Sequence, residues 1–173
     1  LELSYNDLDG TLPLEICALT SLVTLTLNSN MLSGSLPDCF ASSLSSAQSI
    51  ILHNNDLRGH LPANWHLPSL ISIVLSNNPS LHGTLPASLF TQRSSPTTLT
   101  PSHNRLRAVV LEGTRIHGTL PQEVCECSHL QTLALSGNKI SGSLPACIFT
   151  LQRLRTIRMA NNIISGEYLL KSP

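Results

Sequence analysis

Apolar and polar residues alternate along this chain in a spacing that recurs seven times. In one copy, Leu133 and Leu135 are followed by Asn138, Ile140 and Gly142. The intervals between successive glycines of this pattern are 24 or 25 residues, with one of 35, at Gly10, Gly34, Gly59, Gly83, Gly118, Gly142 and Gly166. Six of these glycines are followed, one residue later, by Leu-Pro. So many constraints held together identify an internal repeat.

Each copy opens with an x-L-x-L-x alternation, which predicts a short strand with one buried face. Because one such strand cannot bury its face alone, stacked copies predict a solenoid with a parallel sheet along one side. An Asn precedes most of the glycines, and its amide can satisfy turn backbone groups and link neighbouring coils. We therefore predict an asparagine ladder at Asn6, Asn30, Asn55, Asn78, Asn138 and Asn162.

The pattern LxxLxLxxNxLxGxLPxxL resembles the leucine-rich repeat, in its plant-type class of 24 residues. The GxLP variant is similar both to plant receptor-like repeats and, at residues 111–124 and 61–65, to kinetoplastid surface-antigen repeats. The resemblance covers nearly the whole chain. It implies an α/β repeat solenoid, a right-handed superhelix with a parallel β-sheet on the concave face. Short strands, turns and 3-10 or helical segments are expected on the other side.

The repeats predict a single domain over residues 1–173, with about seven coils. The long interval contains a polar insertion at roughly 91–105, which we interpret as a tolerated loop, with a specific binding loop as the alternative. Leu1 opens inside a repeat, and the copy at Gly166 lacks Leu-Pro. Because terminal coils need capping, we expect a segment of a longer protein with both caps missing.

Members of the resembled family usually bind their partners through the concave sheet face. Alternation places three columns of side chains on that face. In the central column, Ile51, Val74 and Val110 form an aliphatic stripe beside His53 and Glu112, and such a stripe can mark a contact site or simply suit strands. The predicted partner-binding residues are Thr26, Ile51, His53, Val74, Ser76, Val110, Glu112, Ala134 and Arg158.

The sequence gives little support to nucleic-acid binding, membrane insertion or catalysis. The net charge is zero and no basic face is evident, which argues against nucleic acid as a partner. No apolar run is long enough to span a membrane. No nucleophile elbow, phosphate loop, paired-carboxylate motif or Asn-x-Ser/Thr acceptor occurs. We therefore predict neither catalysis nor a cofactor.

Two polar columns allow further interpretations. Hydroxyl residues follow the repeat glycines, as an ice-binding surface would require, but His60 interrupts the row, which otherwise contains Thr11, Ser35, Thr84, Thr119 and Ser143. His82 and His117 occupy one column beside Arg58, where a shared metal ion is possible in principle. No carboxylate or thiolate completes that set, so we interpret the histidines as an exposed polar pair.

Five cysteines leave the redox state open. Cys17/Cys39 and Cys125/Cys147 repeat one pattern, each pair 22 residues apart, and stacking brings such positions near each other. Paired bridges would indicate an oxidising compartment, but the favoured interpretation is five reduced, packed thiols. Cys127 falls at a core position of the repeat.

Together these features predict a non-catalytic module that recognises a protein or peptide, as the binding segment of a larger cell-surface or receptor-like protein. The alternatives are an intracellular scaffold, the ectodomain of a receptor kinase, and an ice-binding or structural solenoid. We expect an extracellular or cell-surface location and no membrane insertion by this segment.

Overall fold

The structure, a computed structural model, describes residues 1–91 and 104–166. It is a solenoid with two parallel sheets, in which every described coil contributes a strand to the second sheet and every coil after the first also contributes one to the first sheet. The predicted repeat solenoid is therefore confirmed. Most of the predicted insertion, residues 92–103, and the chain after Gly166 lie outside the described residues.

The first sheet lies on the concave face and is built from the x-L-x-L-x segments. It has six strands, and a single bridge between Glu2 and Thr26 extends it to the first coil. Each strand is three residues long, and its central apolar residue is buried in all but the last strand. The strands are β2 (Thr24–Thr26), β4 (Ser49–Ile51), β6 (Ser72–Val74), β8 (Ala108–Val110), β10 (Thr132–Ala134) and β12 (Thr156–Arg158).

The second sheet follows the turn of each coil and contains six of the seven repeat glycines. Its seven strands are β1 (Asp9–Thr11), β3 (Met31–Gly34), β5 (Asp56–His60), β7 (Ser80–Thr84), β9 (Arg115–Thr119), β11 (Lys139–Gly142) and β13 (Ile163–Ile164). Gly83 shows why glycine is needed: its φ is +102°, and a Cβ there would approach the His60 ring to 2.8 Å.

The return to the first sheet begins at the Leu-Pro pair. Pro13, Pro121 and Pro145 are extended or nearly so, and a short helical segment follows each. These three segments are 3-10 helices, at Leu14–Ala18, Gln122–Glu126 and Ala146–Thr150. In two other coils the return contains a single α-turn instead, α1 (Phe40–Ser43) and α2 (Ser88–Thr91).

The core runs continuously between the two sheets and the return segments. Leu25, Ile50, Ile73, Val109 and Leu133, at the centres of successive strands of the first sheet, are all fully buried. Burying one such side chain contributes about 1.5–3 kcal/mol. In the last coil the equivalent Ile157 is 40% exposed, because no further described coil covers it.

Candidate functional site

The concave face presents three side-chain columns in register. The central column runs Thr26, Ile51, Val74, Val110, Ala134 and Arg158, because these residues are paired from strand to strand. Since the interior positions are filled by the repeat leucines, the composition of these columns is free to vary. Any specificity of this face must come from them.

An aliphatic row occupies the middle of the face. Ile51, Val74 and Val110 are paired in successive strands, and each is half-buried. The row is thus less exposed than a free stripe, although it remains a contiguous apolar strip between polar columns. We call these three residues the aliphatic row.

A long-range ion pair borders the aliphatic row. The Arg158 guanidinium lies 4.0 Å from the Glu112 carboxylate, although the two residues are two coils apart. Ala134 lies on the coil between them and is only 1% exposed. The expectation that Ala134 contacts a partner is therefore corrected: in this arrangement it has almost no accessible surface.

His53 carries an unused polar atom in the same column as Glu112, two coils before it. The side chain is half-buried, and its Nδ1 has no hydrogen-bond partner among the described residues. Burial lowers the pKa of His53 below its ordinary 6.5, because the charged form is desolvated. The neighbouring Ser76 hydroxyl is occupied, since it accepts the backbone N–H of Glu112 at 2.9 Å.

The asparagines form bonds between the coils. The Asn78 amide donates to the carbonyls of Leu75 at 2.8 Å and Leu52 at 3.1 Å, and its oxygen accepts the Leu57 N–H at 3.0 Å. Each Asn therefore closes its own turn and ties it to the preceding coil. The same three bonds occur at Asn30, Asn55, Asn138 and Asn162; Asn6 makes the bonds within its own turn.

The ladder changes at Thr114. Its one hydroxyl hydrogen is shared between two acceptors, the Leu111 carbonyl of its own coil at 3.2 Å and the Asn138 side-chain oxygen of the next coil at 2.5 Å. Among the described residues it makes no bond back to the preceding coil. The Leu81 N–H, which an Asn at position 114 would accept, instead donates to the Asn78 carbonyl at 3.0 Å.

The same turns contain a second row of polar side chains, which the sequence pattern did not predict. Residues one position before the ladder have positive φ, with values of 55–57° at Ser29, Asn54 and Asn77. Asn77 donates to the Asn54 side chain at 2.8 Å, and Asn54 donates to Ser29 at 3.3 Å. The usable signal was the Asn-Asn pair in successive repeats, since Asn tolerates this conformation and Gly replaces it at 113 and 137.

The cysteines are paired, and the expectation that all five are reduced is wrong. Bridges join Cys17 to Cys39 and Cys125 to Cys147, with Cα separations of 5.9 and 5.8 Å. These separations fall in the middle of the usual range for disulfides, so stacking brings the positions closer than the register offset suggested.

Cys127 is a buried free thiol, as predicted. Burial, assisted by Glu126, raises the pKa of Cys127 to about 12. The thiol donates to the Phe90 carbonyl at 3.4 Å, and the buried Asn104 amide donates to the same carbonyl. The Asn104 oxygen accepts the Leu106 N–H at 2.8 Å, so these side chains join the two ends of the inserted segment.

Two histidine rings are in contact, but they are not the pair that the sequence predicted. His60 and His82 lie edge to face, with ring centroids 4.2 Å apart, whereas the predicted pair was His82 with His117. Within the described residues, no group of three His, Cys, Asp or Glu side chains could hold a metal ion. None of the helices described is long and apolar enough to cross a membrane.

Comparison with known proteins identifies the repeat. The Leucine Rich Repeat model matches residues 21–43 and 129–151. Receptor-like protein 35 of Arabidopsis thaliana is 34% identical over 128 residues, which is 74% of this chain and 12% of that protein. Receptor-like protein 31 of the same plant is 44% identical over 62 residues, covering 36% of this chain and 7% of that protein.

The solved structures that resemble this chain are also receptors. The ectodomain of the Arabidopsis receptor kinase HAESA, in complex with the peptide hormone IDA and the co-receptor SERK1, matches with a TM-score of 0.85 and 26% identity. The match covers 96% of this chain and 26% of that one. A TDR receptor matches with a TM-score of 0.84 and 28% identity, over 95% and 26% of the two chains.

This chain is a leucine-rich repeat solenoid, and it belongs to the plant-type leucine-rich repeat family. Its similar proteins are receptor-like proteins and the ectodomains of receptor kinases. The chain spans about an eighth or less of the length of the curated relatives it matches.

Proposed function

We propose that this chain is a non-catalytic recognition module that binds a protein or peptide on its concave sheet. The observation that carries the proposal is the aliphatic row, a contiguous apolar strip bordered by His53 and by the Glu112–Arg158 pair. An apolar centre with a polar border is the usual anatomy of a protein-binding surface. The same border offers hydrogen-bonding groups that can orient a ligand.

The relatives support the class of ligand. HAESA is bound to a peptide hormone in its structure, and RGFR1, also a peptide hormone receptor, is bound to RGF2. Their solenoids superpose on this chain with TM-scores of 0.85 and 0.75. We infer that this chain is the ligand-binding segment of a larger receptor-like protein, with the predicted receptor-kinase ectodomain as the alternative.

The cysteines support a location at the cell surface. Two disulfides in one short chain are typical of secreted and cell-surface proteins and rare in the cytosol. This favours a receptor-like protein over the intracellular scaffold that the repeats alone also allowed. The hydroxyl column of the second sheet, interrupted by His60, gives ice binding no comparable support.

Selection of ligands tests the proposal. A random peptide library displayed on phage is enriched on the wild-type chain, and the dissociation constants of the enriched peptides are then measured. We expect Val74→Asp with Val110→Asp to weaken binding at least about tenfold, since each buries a carboxylate against the ligand. Met31→Asp is the matched control, because Met31 is 50% exposed on the second sheet.

Two results would oppose the proposal. One is an unchanged dissociation constant for the double variant, provided that its thermal midpoint shows it folded. The other is equal weakening by Met31→Asp, which would place the ligand elsewhere or indicate a general effect of added charge.

A further inference from the structure

The net charge is zero, but acidic side chains predominate in the first half of the solenoid and basic side chains in the second. Residues 1–91 contain six acidic side chains and one basic one, Arg58. Residues 104–166 contain three acidic and seven basic side chains. The expectation that the chain has no basic face is therefore wrong for its second half.

Four of those basic residues occupy only two positions of the repeat. Arg107, Gln131 and Arg155 form one column, because the Gln131 N–H donates to the Arg107 carbonyl at 2.8 Å and the Arg155 N–H donates to the Gln131 carbonyl at 2.9 Å. Two residues earlier in the same coils stand Arg105, His129 and Arg153. We call Arg105, Arg107, Arg153 and Arg155 the arginine edge.

The first half of the chain has no such feature at the same positions. Backbone bonds place Val23, Gln48 and Ile71 in the column that continues to Arg107. The residues two positions before them are serines, at Ser21, Ser46 and Ser69. All six side chains are uncharged, so the repeat itself does not require arginine there.

The arginine edge is available to a partner. All four arginines are exposed, and none has a carboxylate partner among the described residues. A groove of about 420 Å³ opens beside Arg153, and Ser128, His129 and Gln152 also line it. No acidic side chain lines the groove; the nearest one along the chain is Glu126.

We propose that the arginine edge binds an acidic segment of a protein partner through its side-chain carboxylates. Neighbouring strands lie about 4.8 Å apart, so the two arginine pairs, two coils apart, are separated by roughly 10 Å. Carboxylates three residues apart in a polyproline II chain, which has three residues per turn and a rise of about 3.1 Å per residue, lie on one face with about the same spacing. Each guanidinium can bind a carboxylate through two parallel hydrogen bonds.

An acidic protein segment fits better than a nucleic acid. The two columns of the arginine edge contain no Phe, Tyr or Trp on which bases could stack, and their one ring is the His129 imidazole. The two disulfides indicate an oxidising compartment, away from cytosolic and nuclear nucleic acids. The edge adjoins the concave sheet, since Arg107 directly precedes β8, but it does not include the aliphatic row. The proposal therefore stands independently of ligand binding on that row.

A pair of synthetic peptides tests the proposal. One has glutamate at every third position, and the other has glutamine at the same positions. We expect only the glutamate peptide to bind, with an affinity that falls as salt is raised from about 0.05 M to about 0.3 M. Arg153→Glu with Arg155→Glu should weaken binding about tenfold or more, because a carboxylate then faces each carboxylate.

The control places the same charges at matched positions further along the first half, as Ser21→Glu with Val23→Glu, where Val23 is 48% exposed. It should leave the affinity within about twofold of wild type, since Val23 lies three coils, roughly 14 Å, from Arg107 and charges beyond about 10 Å are largely screened at about 0.1 M salt. The neutral pair Arg105→Gln with Arg107→Gln provides a second, milder loss if the reversed pair does not fold. Val74→Asp with Val110→Asp should leave the glutamate peptide bound, which separates this proposal from the proposed ligand site.

Three results would overturn the proposal. They are equal binding of the glutamine peptide, equal weakening by the control pair, and tighter binding of a single-stranded oligonucleotide of matched charge than of the glutamate peptide.

Discussion

Asn78 and Thr114 stand at the same position of consecutive coils, but the turns around them are built differently. Asn78 is fully buried and makes two hydrogen bonds within its coil and two to the preceding one. Thr114 makes one within its coil and one to the following coil. The Leu81 N–H, left without an amide acceptor at position 114, bonds inside its own turn instead.

The two junctions differ in how readily their side chains can be replaced. At a regular junction one amide satisfies three buried backbone groups of two coils, so the side chain is close to irreplaceable. At the junction between the coils of Asn78 and Thr114, the Leu81 N–H instead donates to a carbonyl within its own turn. The long insertion occurs in this same interval, where Asn104 and Cys127 bond the Phe90 carbonyl and join its two ends.

Replacing the Asn of a regular junction should have the largest effect on stability. We expect Asn78→Ala to lower the free energy of unfolding by about 3–4 kcal/mol, because it leaves buried Leu57, Leu52 and Leu75 backbone groups unpaired. Urea unfolding measures the change. Asn6→Ala is the control, since Asn6 is exposed and should cost less than about 0.5 kcal/mol. Equal costs at the two positions would contradict the ladder account.

Each half of the chain contains one disulfide, so the contributions of the two bridges to stability can be compared directly. Cys17–Cys39 and Cys125–Cys147 both have a sequence separation of 22 and similar Cα distances. Replacing either pair by serine should cost about 3 kcal/mol, because the loops released in the unfolded chain are equal. Thermal unfolding of the two double variants measures this. Alkylation without reductant should modify no cysteine but Cys127 after unfolding, and a labelled Cys125 would contradict the bridge.

Thr114 provides the smaller counterpart to Asn78. Thr114→Val keeps the shape but removes the hydroxyl that bonds Leu111 and Asn138. We expect a cost of about 1 kcal/mol, because only one donor is removed and the Asn138 oxygen still accepts the Ile116 N–H. The denaturant midpoint is the readout. A cost as large as that of Asn78→Ala would remove the distinction between the two junctions.

The smallest expected effect is the titration of His53. Its pKa should lie below 6.5, since burial disfavours the imidazolium. The unfolded chain then binds the proton more tightly, so the free energy of unfolding falls as the pH is lowered through about 6.5. His53→Gln should remove that part of the pH dependence. Proton NMR of the imidazole measures the pKa, and a value at or above 6.5 would refute the prediction.

The sequence was sufficient for the fold because the repeat fixes it seven times over. Leu25, Ile50, Ile73, Val109 and Leu133 are fully buried where the alternation predicted a buried strand face. The Leu-Pro pairs lead into short helical returns, as expected of a residue with a fixed φ and no N–H. These outcomes depend on local spacing, which sequence displays directly.

Features that depend on the spacing between coils were harder to predict. The bridges were not favoured because the separation of Cys17 and Cys39 depends on how coils are offset, which no single repeat reveals. Ala134 was predicted to contact a partner, but it lies on the coil between Glu112 and Arg158 and is only 1% exposed. The arginine edge was missed because net charge averages over the two halves.

The central claim is that ligands bind on the aliphatic row of the concave sheet. Methyl NMR of isotope-labelled protein, titrated with a peptide enriched in the phage selection, tests it most directly. We predict that the methyl signals of Ile51, Val74 and Val110 shift with the ligand, while those of Met31 and Ile163 on the second sheet stay in place. Shifts confined to the second sheet, with the aliphatic row unmoved, would contradict the account.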